Sequence, residues 1–516
     1  MSSVELLTRS LSEESRTAFA GRVVHQATSI REHLAAGDLD TDDFAIGLEV
    51  EVYGAARSGL PRLRSIDDTV LACDDRISKE LGRHNAEINT SPVALRPGGF
   101  DAQSTAIRGG LEQARLAADD ETDPVLDGLW TVPPVQGSDA YLSAHDRRNG
   151  HTIAANMRPD ARYYAIDNEV LRRADGTIPL DVTGVRKTFP TILFESLATS
   201  IQPHIQVPET AAFPRYFNVA IRTLGPLLAL SSNSPFLPAD LYDCTRSPET
   251  LIEETSHELR IAVFEQSVNH SEHPKVKVPG DLRNTAELID RVVDDDLYAP
   301  FLHEWTHEAN DDTETTDQLF ADRFPEFQHK RGTFWRWVRP VVVGDPVEDA
   351  GDDRSLRIEY RPLPTQPTVT DIVSLQALTA GLLVGLVAEA HPLTALPWEK
   401  ARDSFYQAAN DGLAADLSWV RADGIQTDDP ATIFEEVFSY ARMGLEQQRF
   451  DRDRIDELLE PIESRWEAQC TPSQWKKRRV RDRVRAEVPL EEAIEAMQRE
   501  YVLRSRQTDS FAEWLS

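Results

Sequence analysis

The segment Phe44–Tyr53 constrains the fold of this sequence more than any other, because apolar residues alternate along it with a period of two. Side chains of a β-strand point alternately to opposite faces, so the apolar residues are expected on one face and Glu49 and Glu51 on the other. Two carboxylates on one face repel each other and favour a cation between them. A solvated edge strand would show the same alternation, so this segment alone leaves both interpretations open.

Three further β-rich segments place polar side chains on one face. Carboxylate oxygens and imidazole nitrogens are metal ligands, and a guanidinium group forks onto phosphate oxygens. Each of these segments also has a structural explanation. They could be an ordinary polar strand face, a strand with a structural histidine and a strand with an exposed ion-pair ladder. The segments and their candidate residues are Asn85–Thr90 with Glu87 and the preceding Glu80, Ile201–Val207 with His204, and Ser355–Arg361 with Glu359 and Arg361.

The rest of the pattern indicates an α+β protein with helical ends. Helical periodicity covers about the first 40 residues and the chain from Thr370 onward, and Thr333–Val343 is a further β-rich segment. The acidic, apolar-poor stretches Ala118–Pro124, Asn310–Asp317 and Gly344–Arg354 are expected to be surface loops.

Two segments near the C-terminal end need separate interpretation. The apolar run Ile372–Ala388 contains Ser374, Gln376 and Thr379, so we expect a buried helix and not a membrane span. The basic cluster Lys476–Arg485 has acidic neighbours and is interpreted as a solvated helix face.

The charge composition excludes several classes of partner. The chain has 87 acidic and 55 basic side chains and a net charge of −32, with the acids dispersed along its length. Such a surface repels nucleic acid and anionic membranes. The dispersal of the acidic residues along the chain predicts adaptation to a high-salt cytoplasm. Cys73, Cys244 and Cys470 share no metal-ligand spacing, and Met1–Glu14 lacks the pattern of a secretion signal. We therefore expect a halophilic, cytoplasmic protein.

Read together, these segments resemble the glutamate-cysteine ligase family of carboxylate–amine ligases, which are relatives of glutamine synthetase. The likeness covers roughly residues 40 to 400. Gln206, where the family often has a second histidine, and Leu363–Pro364, where it often has Cys-Asp, leave the substrates open. The matching places are Gly47–Glu51 as G-x-E-x-E, Glu80–Pro92 as the second glutamate strand, His204 of the H-x-H strand, Leu224–Pro238 as the helix and N-S-P-F loop, and Trp335–Pro340, reading WRWVRP, with Arg357–Arg361, which resemble the family's W-x-x-R-P and x-E-x-R pair.

The resemblance implies an α+β fold with a curved antiparallel sheet of the glutamine synthetase catalytic type, surrounding helices and a helical C-terminal extension. It implies a division into an N-terminal helical segment, 1–40, a ligase catalytic domain, 41–400, and a C-terminal extension, 401–516, to which no chemistry is assigned.

The resemblance also implies a set of site residues around ATP and Mg²⁺. One Mg²⁺, bridging the phosphates, would be held by Glu49, His204 and Glu359. A second, nearer the substrate carboxylate, would be held by Glu51, Glu80 and Glu87. The implied catalytic contacts to the transferred phosphoryl group are Arg361 and Arg339, and the implied substrate-binding residues are Asn233, Ser234 and Arg246.

The implied activity is ATP-dependent amide formation between the γ-carboxylate of glutamate and the amine of cysteine, through an acyl phosphate. One alternative keeps the ligase chemistry with another amine or acid. A second is a non-catalytic regulatory homologue, but retention of the charged residues argues against it, because buried carboxylates without a metal destabilise a fold. The oligomeric state does not follow from the sequence.

Overall fold

A computed structural model describes residues 2–57, 62–119, 121–243, 246–306, 320–342 and 354–515. The chain forms a mixed structure of helices and strands with one large antiparallel sheet, which confirms the α+β class. The predicted loop Asn310–Asp317, the predicted loop Gly344–Arg354 up to residue 353, and Cys244 lie outside the described residues.

The strands are mostly short, and the longest of them is the one predicted from strict alternation. They are β1 Ala45–Ala56, β2 Leu63–Arg64, β3 Ile77–Lys79, β4 Asn85–Asn89, β5 Val93–Ala94, β6 Thr122–Val125, β7 His145–Arg148, β8 His151–Ala154, β9 Ile178–Val182, β10 Val185–Phe189, β11 Ile201–Gln206, β12 Val338–Val342, β13 Leu356–Tyr360, β14 Trp419–Val420 and β15 Gln426–Thr427.

The helices surround the sheet and make up most of the two ends of the chain. They are α1 Ser3–Ser10, α2 Glu13–Ala36, α3 Asp68–Leu71, α4 Gly99–Ala117, α5 Ser138–Ser143, α6 Ala161–Arg173, α7 Phe213–Ser231, α8 Pro248–Glu254, α9 Leu259–Val268, α10 Ala286–Asp294, α11 His303–Thr306, α12 Pro325–Arg331, α13 Val369–Ala388, α14 Trp398–Asp411, α15 Pro430–Gln447, α16 Arg452–Glu467, α17 Pro472–Arg485 and α18 Leu490–Gln507. Short 3₁₀ turns occur at Ile192–Leu197, Ala239–Leu241, Phe320–Arg323, Pro392–Ala395, Gly412–Ala414 and Phe511–Trp514.

The main sheet has the strand order β12-β13-β11-β1-β4-β3, with β2, β5 and β6 also pairing with β1. All of these pairs are antiparallel. The register sets Glu51 opposite Glu87, and it sets Glu359 opposite both His204 and Arg339. The polar residues of separate strands are thereby brought side by side.

The opposite face of the sheet packs on buried helices, above all α13. Its side chains are almost all buried, and Gln376 donates a hydrogen bond of 3.0 Å to the carbonyl oxygen of Gly47 in β1. Helix α15 approaches α13 so closely that a Cβ atom on Gly385 would lie 1.9 Å from the carbonyl oxygen of Tyr440. Although α13 is long and apolar enough to cross a membrane, 94% of its apolar window is buried in the protein. It is a core helix, as the sequence predicts.

Four sequence-based expectations need correction. The predicted loop Ala118–Pro124 runs into strand β6, which begins at Thr122 and pairs with β1. The segment Thr333–Val343 forms a strand only from Val338 in its described part, and the helical C-terminal region is interrupted by the β14–β15 hairpin. The basic cluster is not a solvated face throughout, because Lys476 and Lys477 at the start of α17 are 1% and 6% exposed. The reason is that α17 packs into the protein and its first lysines find buried oxygen partners.

Candidate active site

The polar face of the main sheet forms the floor of a cavity of about 320 Å³. Strands β1 and β4, the end of β3, helix α6 and the segment leading into β12 contribute to its wall. Acidic side chains outnumber basic ones in the lining. The charged lining residues are Glu49, Glu51, Glu80, Glu87, Glu195, Arg162, Arg339 and Arg361.

The first predicted metal group is assembled from three strands. Glu49, His204 and Glu359 each offer a ligand atom, and these atoms lie within 4.8 Å of one another. The His204 Nε2 atom lies 3.1 Å from Glu49 Oε1. The imidazole is buried, yet neither of its ring nitrogens makes a hydrogen bond with the described residues. An orphaned buried imidazole nitrogen between two carboxylates fits a metal-ligand position.

Two arginines hold Glu359 in its charged form. Arg339 donates to Glu359 Oε2 from Nε at 2.8 Å and from Nη2 at 2.6 Å, and Arg361 donates to Glu359 Oε1. Burial alone would raise the pKa of Glu359, but Arg339, Arg361 and His204 bring it well below the usual range. Since Arg361 also donates to Gln202 Oε1 at 2.5 Å, its guanidinium plane is fixed at the cavity wall.

The second predicted metal group consists of carboxylates alone. Ligand atoms of Glu51, Glu80 and Glu87 also lie within 4.8 Å of one another. Burial, followed by the charges of neighbouring carboxylates, raises the pKa of Glu80 and of Glu87 well above the usual range. Glu51 is held by the backbone N–H of Ser200 at 2.6 Å and by Gln202 Nε2 at 3.1 Å.

Both groups have the donor chemistry that a hard divalent cation requires. Mg²⁺ prefers oxygen ligands, and a cation removes the repulsion that otherwise forces crowded carboxylates to take up protons. Glu49 and Glu51 are two residues apart on β1 and belong to different groups, so this single strand joins the two groups.

The structure places the predicted substrate-binding residues away from the cavity lining. Asn233 and Ser234 are buried beneath it and are hydrogen-bonded to Glu258, the backbone N–H of Asn233 at 2.8 Å and the Ser234 hydroxyl at 2.5 Å. Arg246 forms an ion pair with Glu254 in which both side chains are more than 40% exposed. The substrate-binding role of these three residues stays a prediction, and the buried Asn233 Oδ1 has no hydrogen-bond partner among the described residues.

Sequence reasoning missed several residues of the cavity wall. Arg162 lies in helix α6 and Glu195 in the 3₁₀ turn Ile192–Leu197, outside any segment of strand alternation. Trp335 also lines the cavity. An alternation pattern identifies only strand residues, so it gave no signal for the residues in helix α6 and the 3₁₀ turn.

A second cavity, of about 430 Å³, lies near the same segment but differs in chemistry. Phe334, Arg336 and Pro340 line it, whereas Trp335 and Arg339 line the acidic cavity. Arg336 is already paired with Asp295 at 2.6 Å. The acidic cavity, which lies at the two predicted metal groups, is therefore the candidate active site.

Comparison with known proteins identifies the family of the chain. Residues 45–507 match the family described as glutamate-cysteine ligase family 2. A solved glutamate–cysteine ligase of Francisella tularensis, in complex with AMP, is similar in structure with a TM-score of 0.53 and 11% identity over 92% of each chain. A bifunctional glutathione synthetase of Pasteurella multocida gives a TM-score of 0.48 and 13% identity over 93% of this chain and 55% of that one. No curated protein sequence matches the chain.

Proposed function

This chain belongs to the glutamate-cysteine ligase family 2, and from that membership we propose that it is an ATP- and Mg²⁺-dependent carboxylate–amine ligase. The observation that supports the proposal most strongly is the pair of three-residue ligand groups, of which Glu49, Glu51, Glu80 and Glu87 line the cavity beside Arg339 and Arg361, while His204 and Glu359 adjoin Glu49 without lining it. Such a cavity suits a reaction that brings a polyphosphate next to a carboxylate, since their negative charges repel each other unless cations and guanidinium groups lie between them.

The substrates we propose are the γ-carboxylate of glutamate and the amine of cysteine. The family description supports this choice, and another acid or amine would fit the same acidic cavity. We further propose that the sheet is curved and of the glutamine synthetase catalytic type, because its polar face presents carboxylates from several adjacent strands.

The proposed reaction has two steps. A carboxylate oxygen of the acid attacks the γ-phosphorus of ATP, so that ADP leaves and an acyl phosphate forms. The amine, after losing a proton, then attacks the acyl carbon, inorganic phosphate leaves, and the second proton of the former ammonium is released. The products are an amide, ADP and phosphate.

Each group of residues has a part in this sequence. Glu49, His204 and Glu359 would hold one Mg²⁺, and Glu51, Glu80 and Glu87 would hold the other. When bound, these ions neutralise phosphate and carboxylate oxygens. Arg361 and Arg339 keep their guanidinium groups at the cavity wall through Glu359, in reach of the transferred phosphoryl group, whose spread charge they stabilise.

Release of ADP and phosphate tests the proposal. The assay contains high potassium chloride, Mg²⁺ and ATP, first with glutamate alone and then with cysteine or a panel of other amines. We expect turnover that depends on the amine and is lost in Glu359→Gln, with mass spectrometry identifying the amide. As a matched control, Glu209→Gln changes an exposed glutamate beyond the end of β11 and should retain activity. ATP binding without turnover for any acid and amine would contradict the proposal.

A further inference from the structure

One carboxylate of the cavity belongs to neither metal group. Glu195 lines the cavity together with Ile166, Ile192, Phe264 and Val268, which come from its own turn and from the helices α6 and α9 that pack against this turn, but it contributes no ligand atom to either cluster. Within the described part of the chain its carboxylate has no hydrogen bond and no ion pair. A cation from outside the protein would stabilise a partly buried carboxylate of this kind.

The turn that carries Glu195 is held in place from both sides. At its start, the backbone N–H of Ile192 donates to Asp167 Oδ1 at 2.8 Å. Next to Glu195, the carbonyl oxygen of Ser196 lies 2.9 Å from His84 Nε2 and accepts from Trp130 Nε1 at 3.1 Å. All three partner side chains are fully buried. The backbone of the turn is thus anchored, while the Glu195 carboxylate is left open to the cavity.

The cations near Glu195 are engaged elsewhere. Arg260 and Arg361 both act on it electrostatically. Arg361, however, donates to Glu359 and Gln202, and Arg260 donates to the carbonyl oxygens of Arg361 and Pro362 at 2.9 and 3.1 Å. Neither arginine makes an ion pair with Glu195 in the described structure, so the carboxylate is available to a bound cation.

Resting on the ligase function proposed above, we infer that Glu195 and its apolar neighbours form the subsite for the acceptor amine, and that Glu195 binds this amine as its ammonium ion. The ligand class is a primary amine that is charged at neutral pH and bears a small apolar group. The ammonium would lie against Glu195, and the apolar group would lie against Ile166, Ile192 and Val268. A charge-assisted contact of this kind is stronger than a neutral one inside a cavity.

The composition of this part of the wall favours an ammonium ion over a further metal ion. Glu51 and Glu80, which interact with Glu195 electrostatically, already belong to the second metal group, and the lining residues Ile166, Ile192, Phe264 and Val268 are not metal ligands. Mg²⁺ requires near-octahedral oxygen coordination, whereas an ammonium group is satisfied by one carboxylate and a few further acceptors.

The test compares a charged with an uncharged acceptor. Hydroxylamine is largely uncharged at neutral pH and traps an acyl phosphate as a hydroxamate, so it reports acyl-phosphate formation without needing an ammonium subsite. Wild type, Glu195→Gln, Glu195→Asp and the exposed control Glu209→Gln are assayed with ATP, Mg²⁺ and glutamate, and with either hydroxylamine or cysteine. For Glu195→Gln we expect hydroxamate formation close to that of wild type and a KM for cysteine raised at least about tenfold, which corresponds to about 1.4 kcal/mol. Glu195→Asp should restore part of the affinity.

Each outcome has a distinct meaning. Loss of hydroxamate formation in Glu195→Gln, together with loss of a bound Mn²⁺ ion, would make Glu195 a metal ligand and overturn the inference. An unchanged KM for every charged amine that the wild type accepts would also overturn it. Absence of hydroxamate in wild type with glutamate or any other acid would contradict the proposed ligase function itself, and not only the role of Glu195.

Discussion

At the scale of single residues, burial determines the ionisation of Asp167. Asp167 in α6 is fully buried, accepts one hydrogen bond from the backbone N–H of Ile192, and has a second carboxylate oxygen without a partner among the described residues. Burial raises the pKa of Asp167 to about 8. This carboxyl group anchors the turn that carries Glu195 and is expected to do so in its protonated form near neutral pH.

The stability of the protein should therefore depend on pH through Asp167. Its folded-state pKa lies above that of an unfolded aspartate, so between about pH 4 and pH 8 the folded state binds the extra proton and stability falls as pH rises. Asp167→Asn removes this titration but keeps the acceptor for Ile192. In chemical unfolding experiments between about pH 5 and pH 8, the free energy of unfolding of the variant minus that of wild type should rise with pH, by up to about 1.4 kcal/mol per pH unit. A difference in the free energy of unfolding between variant and wild type that does not change with pH would contradict the raised pKa of Asp167.

The sequence predicts the position of individual site residues where they lie in a strand with alternating apolar residues. Alternation along β1 predicts that Glu49 and Glu51 share a face, and the structure confirms it by bringing both into the cavity. Glu195 and Lys476 could not be predicted this way, because a 3₁₀ turn and the first turn of a helix give no pattern that separates buried from exposed charges. The catalytic, metal-binding and substrate-binding roles stay predictions.

At the scale of elements, the two C-terminal helices α17 and α18 make hydrogen bonds with strand β1 and with the segments that follow β6 and α7. Lys476 of α17 donates to Asp127 Oδ1 at 2.5 Å and to the carbonyl oxygen of Asn233 at 2.7 Å. Gln498 of α18 donates to Asp127 Oδ2 at 2.6 Å and to the hydroxyl of Tyr53, in β1, at 2.9 Å. The division into residues 1–40, 41–400 and 401–516 stays a prediction, and these hydrogen bonds cross its second boundary.

Loss of the buried lysine should destabilise the whole protein. Lys476→Met leaves Asp127 buried without its cation, and we expect a loss of about 3–5 kcal/mol in the free energy of unfolding, measured with denaturant. The double variant Lys476→Met, Asp127→Asn removes both charges and should recover part of that loss. If the double variant were less stable than the single one, the ion pair would not be the cause.

The pairing order of the strands illustrates what local pattern leaves open. The sequence predicts β1, β4, β11 and β13 individually, and the structure confirms a strand in each segment. That β11 lies between β13 and β1 is decided by contacts between segments more than 150 residues apart along the chain, namely 45–50 with 201–206. No periodicity within one segment contains this information, and the resemblance to a family implied an antiparallel sheet without its strand order.

At the scale of the whole molecule, the net charge of −32 is the dominant feature. Repulsion among surface carboxylates weakens the folded state, and salt shortens the distance over which they repel, from about 10 Å at 0.1 M to about 3 Å at 1 M. We propose that the protein is adapted to high salt. The midpoint of thermal unfolding should rise between about 0.1 M and about 1 M potassium chloride. A constant or falling midpoint would contradict this adaptation.

The proposed ligase reaction depends most on two divalent cations that bind at this cavity, each with its own ligand group. Mn²⁺ binding, measured by electron paramagnetic resonance in high potassium chloride with a non-hydrolysable ATP analogue, tests this claim directly. We predict two tightly bound ions in wild type and in Glu209→Gln, and one fewer in each of Glu49→Gln and Glu87→Gln, because these residues belong to different groups. Wild-type stoichiometry and affinity in both variants would contradict the claim.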